Sequence, residues 1–175
     1  MNLANKITVF RIVLIPLYLV LLMQYSAAMG YAAAVVFALA ALSDALDGYI
    51  ARSHGLVTTF GKFFDPLADK LLVCSALIAM MHLGRFPMWG VILIVVRELT
   101  ITAFREVAAA RNVIIAADKL GKLKAASQMV IVVALTVPAV PYGHTAIQAF
   151  AWYTVAVTIV SGLTYIYNNI HVLRD

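Results

Sequence analysis

Residues 31–51 read YAAAVVFALAALSDALDGYIA, an unbroken apolar run from Tyr31 to Leu42 followed by Ser43 and then by two aspartates, Asp44 and Asp47. A helix rises about 1.5 Å per residue and needs about 20 apolar residues to cross the hydrocarbon core of a bilayer. The stretch has that length, and its charge is confined to one end. It reads as a membrane-spanning helix with acidic residues at one membrane face.

The rest of the chain repeats the pattern. Apolar stretches separated by short polar breaks predict six helices, over Ile7–Met23, Tyr31–Ala51, Lys62–His82, Pro87–Ala109, Leu120–Val137 and Ala146–Ile170. Lipid satisfies no backbone hydrogen bonds, so spanning segments are helices or closed barrels, and no ten-residue alternation of the barrel kind occurs. The composition agrees: 64% of the 175 residues are hydrophobic, 12% are charged, and the mean hydropathy is +0.96. A soluble domain carries about 25% charge. The expectation is an all-α integral membrane protein forming a single domain over residues 1–175, with little left over for a soluble one.

The net charge of +5 does not indicate nucleic acid, because the basic residues fall between apolar runs and form no continuous stripe with interleaved aromatics. Topology explains them better, since lysine and arginine accumulate on the cytoplasmic side of short loops. With the N-terminus inside, Lys6, Arg11, Arg52, Lys62, Arg105, Arg111, Lys119, Lys122, Lys124 and Arg174 all fall at cytoplasmic ends. The outer connections 24–30 and 138–145 carry no charge, and that between the third and fourth helices carries only Arg85. Six spans with both termini cytoplasmic follow, and Trp89 and Trp152 then come out near the outer interface, at the depth indoles prefer. Lys6, Arg11 and the apolar run to Met23, followed by Ser26-Ala27-Ala28, have the outline of a signal peptide. Because the rest of the chain is equally apolar, a retained first span is the simpler expectation. The lone Cys74 has no disulfide partner and reads as packing.

Half of the eight acidic residues fall between Asp44 and Asp69. On a helix, Asp44, Asp47, Gly48, Ala51 and Arg52 recur as i, i+3, i+4, i+7 and i+8 and share a face. Gly61, Asp65 and Asp69 follow as i, i+4 and i+8 on the next helix. The linker between them is short and contains Gly55, so the two helices are expected to be antiparallel neighbours with the four aspartates converging. Four carboxylates in a low-dielectric place repel one another and protonate unless cations compensate. Two divalent ions would cancel their charge. All-oxygen ligands favour magnesium or manganese over zinc, and paired ions of this type suit phosphoryl transfer. The small residues leave room for a bulky group, and Arg52 is placed to meet phosphate. The competing explanation is that the aspartates cap helices or pair with Arg52, Lys62 and Lys70. It is adequate for one aspartate and poor for four at these spacings.

The pattern Asp44-x-x-Asp47-Gly48-x-x-Ala51-Arg52, eight residues, then Gly61-x-x-x-Asp65-x-x-x-Asp69 matches the signature of the CDP-alcohol phosphatidyltransferase family at all eight specified positions. The resemblance implies a six-helix enzyme of the bacterial cytoplasmic (inner) membrane, with its active site on the cytoplasmic side. Such an enzyme moves a phosphatidyl group from a CDP-linked lipid to an alcohol and releases CMP. By the same resemblance, Asp44, Asp47, Asp65 and Asp69 are ligands of two divalent cations, magnesium or manganese. Asp69 is also the base for the acceptor hydroxyl, and Asp44, Gly48, Ala51, Arg52 and Gly61 hold the CDP-lipid. The opening Asn5-x-x-Thr8-x-x-Arg11 is also family-like and is assigned no role.

The acceptor is read from the later basic residues. Val96-Arg97-Glu98-Leu99, then Phe104-Arg105-Glu106, then Lys119-Leu-Gly-Lys122-Leu-Lys124 looks like the phosphatidylglycerophosphate synthase branch of that family, whose donor is CDP-diacylglycerol and whose acceptor is glycerol 3-phosphate. A dianionic acceptor needs positive charge, and Arg105, Lys122 and Lys124 at facing helix ends are the candidates for its phosphate pocket. The same residues are also where a positive-inside bias alone would put them. Ala125 and Ala4 depart from the branch, which usually has threonine and proline there, and neither touches the aspartates.

Other residues carry less. His54, His82, His144 and His171 are scattered over both sides, against a shared metal site, and Asp118 beside Lys119 reads as a helix start. Alanine runs at 32–34 and 108–110 permit close helix contact and, with the family's habit, a homodimer. Two alternatives stay open: the same mechanism with another acceptor (inositol phosphate, serine or a lipid), and a divalent-cation transporter, since intramembrane aspartates also line ion paths. The transporter leaves Gly48, Ala51, Arg52 and Gly61 unexplained.

Overall fold

The structure is a computed structural model that describes residues 3–54, 59–111, 113, 115 and 118–170, with side chains for all of these except 3–6, 44–54, 59–66 and 69. Among the described residues six helices follow one another: α1 (Leu3–Leu22), α2 (Ala27–His54), α3 (Thr59–His82), α4 (Met88–Ala110), α5 (Lys119–Thr136) and α6 (Thr145–Asn169). No strand occurs among the described residues. Each helix corresponds to one predicted from the apolar runs, and the main difference is at α2, which is longer at both ends. It begins earlier because Ser26 supplies the carbonyl that accepts from Gly30 N, starting the ladder through the alanines before Tyr31. Two of the breaks, those before α2 and before α4, contain a residue in the left-handed region, Tyr25 (φ 53°) and Gly84 (φ 68°).

The chain divides into two compact units. The first comprises Met1–Leu83 with Val132–Pro141. Here α1 packs on both α2 and α3. Its inner face is set by spacing: Thr8, Arg11, Ile15, Tyr18 and Leu22 are buried, whereas Phe10, Val13, Leu17 and Val20 face outward. Opposite lie Ala33, Phe37 and Ala40 of α2, and Ala68, Leu72, Ala76 and Met80 of α3. Small residues at such a seam let helix backbones approach closely. Tyr18 ties the unit together, with its ring 5.5 Å from that of Phe37 and its hydroxyl 3.0 Å from Thr136 Oγ1. Thr136 spends its one hydroxyl proton on Val132 O at 2.7 Å, so Tyr18 is the donor in that bond. Gly30 sits against Pro138, where a Cβ would lie 2.5 Å from the ring's Cγ.

The second unit comprises Gly84–Ile131 with Tyr142–Asp175, and in it α4 packs along α6. Gly90 of α4 lets Val155 of α6 approach. Farther along, Ile101, Phe104, Ala108 and Tyr165 form an apolar cluster with Ile115 and Ile166 against it, the Phe104 and Tyr165 rings meeting edge-on at 5.9 Å. Asp118 precedes α5 and caps it, its Oδ1 accepting from Gly121 N at 2.8 Å.

In each unit the outward positions are strongly apolar: Val13, Leu17, Val35, Leu39 and Ile78 in the first, Val96, Leu99, Val160 and Leu163 in the second. Hydroxyls go inward, as Thr154, Thr158 and Ser161 of α6 do. A water-soluble helix distributes these the other way round. Among the described residues, Thr145–Asn169 is the helix long and apolar enough to cross a membrane by that criterion, and Ile7–Leu22, Ala27–Ser43 and Lys70–His82 are shorter apolar segments.

Candidate active site

Helix α2 carries Asp44, Asp47, Gly48, Ala51 and Arg52, and helix α3 carries Gly61, Asp65 and Asp69. Because both backbones are helical through these positions, the i, i+3, i+4 and i, i+4, i+8 relations read from the sequence hold on real helices. The two helices belong to one unit and pack on each other and on α1. The side chains of these eight residues lie outside the described residues, as does linker 55–58. Among the described residues no group of three or more His, Cys, Asp or Glu gathers to hold a metal, and the four aspartates are not in that set. Thr8 and Arg11, buried on the face of α1 that packs on these helices, bring a hydroxyl and a guanidinium into the same unit.

The basic residues expected to hold an acceptor phosphate are in the second unit, and the structure separates them by environment. Lys124 is buried, with its side chain 10% exposed, and its Nζ donates to Glu98 Oε1 at 2.5 Å. Lys122 is exposed, two residues earlier on α5 and therefore on the other side of the helix. Arg105 is exposed on α4, where its Nε donates to Tyr165 Oη at 3.0 Å and its guanidinium lies 5.1 Å from the centre of that ring. Glu98 and Arg105 are seven residues apart, two helical turns, and share a face of α4.

Around Lys124 the structure assembles a polar network that the sequence had not disclosed. Glu98 accepts from both Lys124 and Arg97, the latter at 3.4 Å from Nη1. Arg97 reaches across to α6, where Nη2 donates to Ser161 Oγ at 2.9 Å. It fits because residue 162 is glycine: a Cβ there would lie 2.8 Å from Arg97 Cγ. One turn along, Gln128 Nε2 donates to Thr158 Oγ1 at 3.2 Å, and Thr158 in turn donates to Thr154 O. The seam thus runs through α4, α5 and α6 of this unit. Two cations and one carboxylate leave it with a net positive charge, held away from bulk water. Removing a charged pair from water costs several kcal/mol per ion, roughly, unless hydrogen bonds complete the geometry, and Ser161 supplies one of those bonds. A signal for it existed: Thr154, Thr158, Ser161 and Tyr165 recur at helical spacing in α6, and Glu98 is an acidic residue within a long apolar helix.

Comparison with known proteins bears on what such an arrangement serves. The family model for CDP-alcohol phosphatidyltransferase matches residues 1–160. A Bacillus subtilis protein named CDP-diacylglycerol–glycerol-3-phosphate 3-phosphatidyltransferase is 39% identical, with the alignment covering 99% of this chain and 97% of that one. A Mycobacterium tuberculosis protein named probable phosphatidylglycerophosphate synthase is 37% identical over 94% of this chain and 80% of its own. An Escherichia coli protein with the same name as the Bacillus one is 35% identical over 74% of this chain and 73% of its own. Matched across nearly its whole length, the chain belongs to the CDP-alcohol phosphatidyltransferase family.

Proposed function

We propose that the protein transfers the phosphatidyl group of CDP-diacylglycerol to sn-glycerol 3-phosphate, giving phosphatidylglycerophosphate and CMP. The observation that carries this reading is the end-to-end similarity to relatives named for that reaction, in a chain that keeps all eight motif positions. Those relatives are transferases, which favours phosphotransfer over cation transport.

In this reading Asp44, Asp47, Asp65 and Asp69 on α2 and α3 hold two divalent cations. The donor set suits magnesium or manganese, being four carboxylates on two helices that pack together. Bound ions there supply charge neutralisation for the diphosphate and for the departing CMP. Gly48, Ala51 and Gly61 leave space for the cytidine, and Arg52 meets a phosphate. Asp69 takes the proton of the acceptor hydroxyl as its oxygen attacks the lipid-side phosphorus and the bond to CMP breaks. The rate comes chiefly from holding both substrates in line and from electrostatic stabilisation. Arg105 and Lys124 supply positive charge for the phosphate of the acceptor, with Lys124 already held at Glu98, while Lys122, on the other side of α5, adds charge at the same helix end.

The outward-facing apolar residues support six membrane spans in a bacterial inner membrane, with the motif ends of α2 and α3 at the cytoplasmic face. Small-residue helix faces support a homodimer. The test is CMP release by purified protein in detergent with magnesium or manganese, CDP-diacylglycerol and a panel of alcohols. Release with glycerol 3-phosphate alone is expected. Release with a different alcohol reassigns the acceptor, and none with any alcohol refutes the proposal.

A further inference from the structure

We infer that Glu98 is a positioning residue for the acceptor: it holds the Lys124 ammonium, with Arg97 braced on Ser161 behind it, at the place where the phosphate of the acceptor alcohol is bound. The inference rests on the reading that Lys124 meets that phosphate.

Four observations carry it. Lys124 is a long, rotamer-rich side chain that is nonetheless buried and tied by its terminal atom to one carboxylate oxygen. That oxygen belongs to Glu98, itself only 6% exposed, so the anchor has little freedom to follow a moving lysine. The anchor is restrained in turn: Arg97 Nη1 also contacts Glu98 Oε1, while Nη2 is held by Ser161 on another helix. Gly162 admits the stem of Arg97 at a distance no side chain would tolerate. Three helices therefore fix one ammonium group. If the network served only to neutralise charge, one cationic partner for Glu98 would suffice, whereas it has two. The second cation leaves the group of three net positive, which suits a dianion and costs stability without one.

A charge-balancing role and a positioning role predict opposite kinetics. Glu98 is negative, so if it merely competed with the incoming phosphate, Glu98→Gln would lower the KM for glycerol 3-phosphate. If it positions Lys124, Glu98→Gln raises that KM about tenfold or more, as expected when a charge-assisted contact loses its geometry. In the same variant kcat should stay within about threefold, and the KM for CDP-diacylglycerol within about twofold, because the loss is confined to binding of one substrate. Glu98→Asp separates position from charge, since it keeps the carboxylate and withdraws it by one methylene. It should raise the same KM by about threefold to tenfold, less than glutamine does.

The experiment is steady-state kinetics on full-length wild type, Glu98→Gln, Glu98→Asp and Lys124→Met in detergent micelles, with glycerol 3-phosphate and CDP-diacylglycerol varied in turn. Thermal unfolding of each protein is recorded alongside. An acceptor-selective rise in KM for both Glu98 variants supports the inference. A wild-type KM in Glu98→Asp overturns it, even where Glu98→Gln does not fold. So does a loss of activity in kcat alone that tracks the folded fraction. Lys124→Met at wild-type KM would refute the assignment of Lys124 to the acceptor. A raised KM in Lys124→Met with no change in Glu98→Asp would leave that assignment intact and remove only Glu98.

Discussion

Replacing Gly162 by alanine tests the seat of Arg97 directly. The added Cβ would lie 2.8 Å from Arg97 Cγ and 3.4 Å from Nε. Carbon atoms rest at about 3.5–4.0 Å, so the stem of Arg97 must retreat by about 1 Å. Cγ is the second carbon of the side chain and moves only if χ1 turns or α4 shifts. Either motion draws Nη2 away from Ser161 Oγ, now at 2.9 Å. A hydrogen bond to a charged group is worth about 1.5–3 kcal/mol in water-soluble proteins, and bonds within membranes average about 0.6 kcal/mol because the unfolded reference also finds partners. Against this, alanine gains about 0.8–1.0 kcal/mol over glycine inside a helix. The single variant is therefore a poor measure, since the two effects nearly offset. The cycle with Ser161→Ala is decisive. In the wild-type background Ser161→Ala should cost about 0.6–2 kcal/mol, and in the Gly162→Ala background almost nothing, because the bond is already broken. The assay is equilibrium unfolding of the four proteins in detergent micelles. Additivity within about 0.3 kcal/mol would refute the reasoning, showing that the glycine does not hold Arg97 in place.

Two further outcomes are expected. Gly30→Ala should destabilise by about 1–2 kcal/mol, because its Cβ meets the rigid ring of Pro138 at 2.5 Å, whereas Gly143→Ala, with open space around it, should not; melting temperatures in micelles compare them. Asp69→Asn should abolish CMP release while CDP-diacylglycerol binding, followed by calorimetry, largely survives, since only the proton acceptor is lost and an oxygen remains; turnover within about threefold of wild type would remove Asp69 from the mechanism.

How much of this was legible beforehand differs between the two halves of the site. The aspartate motif is local: Asp44 to Arg52 lies within one helix and Gly61 to Asp69 within the next, so helical periodicity alone puts each set on one face. The helices themselves were equally legible, because runs such as Ile7–Met23 have no polar residue frequent enough to break them. Helix ends were less so. α2 runs on to His54, beyond the predicted Ala51, since a backbone ladder continues through any residue that does not oppose it. The proposed acceptor side was legible only as a list of charges. Lys122 and Lys124 look alike in the sequence, yet one is exposed and the other is buried on a carboxylate from a different helix.

The sequence by itself determined the apolar character, the helices, the family and the aspartate motif on two successive helices, because these depend on hydropathy and on spacings of three, four and eight residues. Tertiary structure alone decided that Glu98 accepts from Lys124 across 26 positions and that Arg97 crosses 64 positions to Ser161. No period links such residues. Which helix lies against which, and which glycine leaves room for an arginine, is settled by packing, and packing is a property of the whole unit and not of any one segment.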